Sequence, residues 1–148
     1  PGFKAGLHWT KVEGEVKSGG ASGAWCAAEV QMVTTQVEEL LDKGFRGTLG
    51  VVTPFREQAN RIRDAIHDGN QRWELLQAVD FEVSTSHGFQ GGERDVILFS
   101  LCAGPGIPKG ALNFLRETGN LFNVAVSRAR AVLHVIGNQE WSSHCGIR

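Results

Sequence analysis

Residues 95–101, DVILFSL, form an almost unbroken apolar run that is only seven residues long. It is too short for a buried helix, and it carries apolar side chains at successive positions. Because strand side chains alternate between faces, both faces of such a strand must be covered. That places it inside a parallel sheet with helices on either side. Further strands read as HWTKV (8–12), TLGVVT (48–53), FEVST (81–85) and AVLHVIG (131–137). Between them lie helical periodicities. One begins near Ser22 or Gly23, carries Cys26, Val30, Val33, Val37 and Leu40/Leu41, and meets a capping glycine at Gly44. A second opens with Pro54 at its first position and carries Phe55, Ala59, Ile62 and Ile66. A short third helix is expected through Trp73, Leu76 and Val79, and a fourth through Leu121, Phe122, Ala125, Val126 and Ala129. GEVKSGGASG reads as a loop, and the Gly- and Pro-rich stretch 102–119 as a long mobile loop. Residues 86–94 join two parallel strands near the lower length limit for a crossover, and read as one tight helical turn. The pattern as a whole predicts an α/β fold, a parallel sheet of about five strands flanked by helices.

Length and charge narrow the function. A chain of 148 residues is expected to be a single domain, 1–148, with a real core. Fifteen basic and sixteen acidic residues leave a net charge of −1, which argues against a stand-alone nucleic-acid binder held by a basic surface. It leaves room for a lobe that contributes part of a binding cleft. No apolar run reaches the ~20 residues of a membrane span. Cys26, Cys102 and Cys145 are scattered and odd in number, as expected of reduced intracellular thiols, so a cytoplasmic location is expected. His144 beside Cys145 has no second ligand pair at zinc spacing, and no metal site is expected.

Three segments place polar residues just after a strand or on a helix facing strand ends, where ligands gather in open α/β sheets. They are VVTPFREQ (51–58), VSTSHGFQGGERDVI (83–97) and NLFNVAVSRARAVLHVIGN (120–138). In this order they resemble motifs IV, V and VI of superfamily 1 helicases, of the branch containing the nonsense-mediated-decay helicase and its bacterial relatives. The resemblance rests on Thr53-Pro54-Phe55 with Gln58, on Phe89-Gln90-Gly91 with Glu93 and Asp95, and on Asn123 to Arg130 with Gly137-Asn138. It runs from about Trp9 to Asn138 and implies the second, C-terminal RecA-like lobe of a helicase.

The resemblance implies roles residue by residue. Arg128 matches the arginine finger, a planar fork that offsets charge developing on the γ-phosphate; the alternative is an ordinary surface arginine. Glu93 matches the motif V acid that contacts nucleotide, suited to ribose hydroxyls; the alternative is an acid paired with Arg94 or Arg130. Gln90 and Gly91 sit at the same turn, where a glycine lets backbone approach a ligand; the alternative is a plain turn glycine. Thr85, Ser86 and His87 match residues that meet the nucleic-acid backbone; the alternative is a satisfied loop histidine. Thr53 is either a further phosphate contact or a simple helix N-cap. Arg130 is placed on the helix, pointing away from Arg128, as a structural or partner-lobe contact, and His134 reads as a core or edge histidine.

There are departures as well. No G-x-x-x-x-G-K-[ST] loop, no acidic Walker B strand and no QYRMHP-type segment occurs, and Gly119-Asn120 stands where an arginine pair often precedes motif VI. The expectation is a motor lobe that hydrolyses no ATP alone. ATP and Mg²⁺ would be held mostly by a first RecA-like lobe of the same chain, and single-stranded DNA or RNA would cross this one. Alternatives are the motor lobe of a nuclease or restriction system, and a degenerate RecA-like binding module. Arg128 and Glu93 are expected on one exposed face near the carboxyl ends of the strands.

Overall fold

A computed structural model describes residues 6–18, 23–44, 47–68, 81–85, 94–102, 104–117 and 129–138. Its strands are β1 (Gly6–Lys11), β2 (Lys17–Ser18), β3 (Ala24–Trp25), β4 (Leu49–Thr53), β5 (Glu82–Thr85), β6 (Arg94–Ser100) and β7 (Ala129–Gly137). Its helices are α1 (Ala27–Asp42), α2 (Arg56–Asp68) and α3 (Lys109–Glu117). Five strands form one sheet in the order β1-β7-β6-β4-β5, and every pairing in it is parallel.

The apolar run that opened the sequence reading becomes β6, in the centre of the sheet between β4 and β7. Val96 and Leu98 pack on one face with Val33, Val37, Ile62 and Ile66 from α1 and α2. Ile97 and Phe99 pack on the other, against Val16, Phe55 and Ala111. Each large side chain fully removed from water contributes about 1.5–3 kcal/mol, so this strand anchors both halves of the core.

Four readings need correction. First, α1 starts at Ala27 rather than near Ser22 or Gly23, because Ala24 and Trp25 pair antiparallel with Lys17 and Ser18 inside the expected loop. Cys26 has an extended backbone and occupies the N-cap without a side-chain cap. Second, Pro54 precedes α2 rather than opening it: the carbonyl of Phe55 accepts the first helical bond, from the N–H of Ala59 (3.1 Å). Third, the stretch 102–119 is not a plain loop, since α3 occupies Lys109–Glu117. The N–H of Leu112 bonds the carbonyl of Pro108 (2.9 Å), Ala111 is buried, and Phe114 lies 5.8 Å from Phe55, centroid to centroid. An apolar face sufficient to fix a helix is therefore present there. Fourth, Arg130 lies in β7 and not on a helix.

The expected helices through Trp73 and through Leu121, and most of the short connection 86–94, lie outside the described residues. Among the described residues no helix is long and apolar enough to cross a membrane.

Candidate functional site

The carboxyl ends of the central strands enclose a buried polar chain. Ser100, the last residue of β6, donates from its Oγ to Glu29 Oε1 at 2.7 Å, and the Cys102 N–H donates to the same oxygen at 2.8 Å. Gln58 Nε2 donates to Ser100 Oγ at 3.0 Å, while Gln58 Oε1 accepts from the Cys26 N–H at 2.9 Å. Glu29, Gln58, Ser100 and Cys102 are all buried. Thus the first turns of α1 and α2 are tied to the end of β6. The chain leaves β6 through Cys102 in a left-handed conformation (φ +54°), with the Cys102 N–H bonded to Glu29. Burial pushes the Glu29 carboxyl up to about 7, even though Ser100 and Cys102 favour the ionised form. Burial, reinforced by Glu29, likewise raises the thiols of Cys26 and Cys102, which makes them inert core residues.

Gly137 ends β7 beside this chain. A Cβ there would stand 2.9 Å from Leu101 Cβ, so only glycine lets the two backbones approach. Its carbonyl accepts from Trp9 Nε1 (3.3 Å) and from the Val12 N–H (3.0 Å).

Thr53 and Thr85, two expected nucleic-acid contacts, are register partners at the carboxyl ends of β4 and β5. Thr53 is not an N-cap, since Phe55 supplies the first helical acceptor. Its side chain is fully buried rather than displayed on the surface, and among the described residues its hydroxyl has no hydrogen-bond partner. Thr85 is half-buried.

Ser86, His87, Gln90, Gly91, Glu93 and Arg128 lie outside the described residues. The residues that follow two of them are well defined. Arg94, immediately after Glu93, and Ala129, immediately after Arg128, are register partners where β6 and β7 begin. Arg94 and Ala129 thus stand at the amino ends of β6 and β7. The sequence holds residue order but not strand direction relative to a site, and the parallel register decides it.

The amino ends carry a second polar cluster. Arg130 Nε stands 3.1 Å from Asp95 Oδ1, and Arg130 Nη2 donates to Thr48 Oγ1 at 3.1 Å. The Thr48 N–H donates to Asp95 Oδ2 and the Asp95 N–H to Thr48 Oγ1, both at 2.9 Å. Arg94 is buried and pairs with Glu82 at 2.9 Å. Glu93, the acid for which both arginines were alternative partners, lies outside the described residues. Arg130 makes an ion pair within its own lobe, with its side chain half-exposed.

His134 sits in β7 beside His8, its ring hydrogen-bonded to the Thr10 hydroxyl. Burial first, and then the neighbouring His8, lowers its affinity for a proton. It is a half-buried histidine within the sheet, paired on both sides by strands. Among the described residues no cluster of His, Cys, Asp or Glu could hold a metal.

Sequence reasoning missed Glu29, Ser100, Gln58 and Asp95 as structural polar groups. Gln58 and Asp95 stood inside the quoted motifs without a role. Glu29 left a fainter signal, an acid in phase with the buried stripe Val33, Val37 and Leu40.

Comparison with known proteins agrees with the motifs. The family described as "AAA domain" matches residues 3–140. Helicase sen1 of Schizosaccharomyces pombe is 35% identical over 133 residues, covering 87% of this chain and 8% of that protein. DNA polymerase alpha-associated DNA helicase A of Saccharomyces cerevisiae is 36% identical over 119 residues, covering 80% of this chain and 16% of that one. DNA replication ATP-dependent helicase/nuclease JHS1 of Arabidopsis thaliana is 29% identical over 112 residues, covering 75% and 8%. The chain therefore spans less than a fifth of the length of these curated relatives. The Hef helicase domain of Pyrococcus furiosus aligns with 80% of this chain and 28% of its own at 15% identity and a TM-score of 0.47, a likeness too slight to add to the sequence match. With three motifs in order, a five-stranded parallel sheet and a family match over most of its length, the chain belongs to the AAA-domain family as a C-terminal RecA-like lobe of a superfamily 1 helicase.

Proposed function

We propose that this lobe is the second half of an ATP-driven translocase on single-stranded nucleic acid. Arg128 serves as the arginine finger toward ATP·Mg²⁺ held by the first lobe. Glu93 meets the ribose, with Gln90 and Gly91 at the same turn. Thr85, Ser86 and His87 contact the nucleic-acid backbone, and Thr53 adds its hydroxyl if a ligand reaches it.

One observation carries the reading. Thr85 ends β5 at the carboxyl edge of the sheet, while Arg94 opens β6 at the amino edge, level with Ala129. Motif V therefore starts beside the expected strand contacts and finishes beside the chain position that leads out of Arg128. A segment so connected suits the coupling of hydrolysis to strand movement, because both events act on one short stretch of chain. The relatives' names, helicases throughout, support the same reading. The one named a helicase/nuclease keeps open the alternative that the same motor serves a nuclease.

The test uses the full-length protein that carries this lobe. Arg128→Ala should lower nucleic-acid-stimulated ATP turnover by roughly 10³-fold or more, the range typical of arginine fingers. Binding of a non-hydrolysable ATP analogue should hold, since a finger acts on charge that develops in the transition state. Arg128→Lys should not rescue turnover, because an ammonium lacks the planar fork. Undiminished turnover in Arg128→Ala would remove the finger. A full-length protein with no ATPase activity would favour the degenerate binding module instead.

A further inference from the structure

We propose that Arg130, Asp95 and Thr48 form a positioning strut that holds the nucleotide-facing ends of motifs V and VI in one geometry for turnover. The inference rests on the reading of Arg128 and Glu93 just given, and goes beyond it by assigning a role to three residues that touch no ligand.

The cluster is closed. Asp95 uses both carboxylate oxygens, one for Arg130 and one for the Thr48 N–H. Thr48 Oγ1 accepts twice, from the Asp95 N–H and from Arg130 Nη2. Its three members come from three neighbouring strand starts: Thr48 just before β4, Asp95 in β6 and Arg130 in β7. The two charged partners each stand two residues downstream of a candidate nucleotide residue, Asp95 after Glu93 and Arg130 after Arg128.

A second observation points the same way. Arg94 pairs with Ala129 but Val96 pairs with Val132, so β7 spends three residues where β6 spends two. The extra residue falls at Arg130-Ala131, opposite Asp95. A bulge re-aims the side chain beside it, and here the re-aimed guanidinium bridges Asp95 and Thr48. A regular ladder would stabilise the sheet better, since the bulge gives up pairing. The ion pair does not compensate for that, with side chains 47% and 38% exposed and open to water and salt. An irregularity that gains little stability, and sits where β6 and β7 emerge from the two motifs, is explained by placement. Misplacement of a reacting group by about 1 Å costs on the order of 10²-fold in rate, so small strut displacements are large in turnover.

The experiment measures kcat and KM for ATP in the full-length protein, with saturating single-stranded nucleic acid. Arg130→Gln, Arg130→Lys, Asp95→Asn and the Arg130→Gln/Asp95→Asn double are made in the parent and in the Arg128→Ala background. Arg130→Gln and Asp95→Asn should each lower kcat by roughly ten-fold or more with KM for ATP little altered, because placement in the transition state is lost rather than uniform binding. The double should be no slower than the slower single, as expected of residues acting as one unit. Arg130→Lys, keeping charge but not the fork, should fall between. In the Arg128→Ala background the strut changes should have little further effect, a readout that a merely structural role would not move. Melting curves of every variant identify any loss due to unfolding. Normal kcat in both singles, multiplying losses in the double, or the same loss with Arg128 absent would each overturn the strut while leaving the finger intact. A silent Arg128→Ala is the separate result that removes the finger, and the strut with it.

Discussion

The two ends of the sheet solve the same problem, joining neighbouring strands through polar side chains, in opposite environments. At the carboxyl end, Glu29, Ser100 and Gln58 bond one another out of contact with water. At the amino end, Thr48, Asp95 and Arg130 bond one another with the ion pair half in solvent. The first arrangement is dear to break, because any orphaned partner stays buried and pays its full desolvation. The second is cheap to break, because water replaces whatever is lost. The division leaves stability at one end and adjustable placement at the other.

The largest effect should come from Gln58. Gln58→Ala removes the acceptor for the Cys26 N–H and the donor to Ser100 Oγ, and leaves a cavity beside them. A loss of roughly 3–5 kcal/mol in unfolding free energy is expected, measured by urea denaturation. A loss under about 1 kcal/mol would mean that water replaces the glutamine, and that the carboxyl end is less sealed than its burial implies.

Next comes pH. Glu29 has a folded-state pKa of about 7 against 4.5 as its ordinary value, with burial the main cause. Between those values the folded state holds a proton that the unfolded state has released. The stability it contributes is complete below about pH 4.5 and is lost as pH rises through about 7. On the order of 3 kcal/mol is at stake in that window. Glu29→Gln keeps an oxygen to accept from Ser100 and Cys102, so it should flatten this part of the profile and stabilise the lobe at pH 8. A variant less stable than the parent at pH 8 would show that the ionised carboxylate is well solvated by its two donors.

Gly137→Ala ranks third. Its new methyl would meet Leu101 at 2.9 Å, and relief requires β7 to shift from the segment that follows β6. Overpacking of this kind costs about 1–3 kcal/mol, readable as a lower melting temperature.

What could be read beforehand divides along the same line of local against non-local. The run 95–101 announced a strand covered on both faces, and β6 is that strand. The motifs, being local, agree with the family match over residues 3–140. The helix at Lys109–Glu117 was hidden because glycine and proline on either side of Pro108 outweighed the spacing of Ala111, Leu112 and Phe114. The start of α1 was misplaced because β3 exists only through its pairing with Lys17 and Ser18. Glu29 and Ser100 are 71 residues apart in sequence, and no local pattern joins them. Strand direction also escaped, which is why the amino-end position of Arg94 and Ala129 was not foreseen.

The smallest effect on stability is the most useful for the comparison. Arg130→Gln breaks an ion pair whose side chains are 47% and 38% exposed, and leaves the Thr48–Asp95 bonds in place. Unfolding free energy should change by less than about 1 kcal/mol, and less again at 1 M salt, where the screening length falls to roughly 3 Å. The same substitution is expected to reduce turnover substantially in the full-length protein, so the two measurements should separate. Gln58→Ala offers the opposite pattern: a large loss of stability, with turnover per folded molecule near normal at low temperature. If Arg130→Gln instead unfolds the lobe as readily as Gln58→Ala, the amino-end cluster belongs to the structural core, and its half-exposure misstates its energetic weight. If it changes neither stability nor turnover, the bulge at the start of β7 needs another explanation than the placement of Arg128.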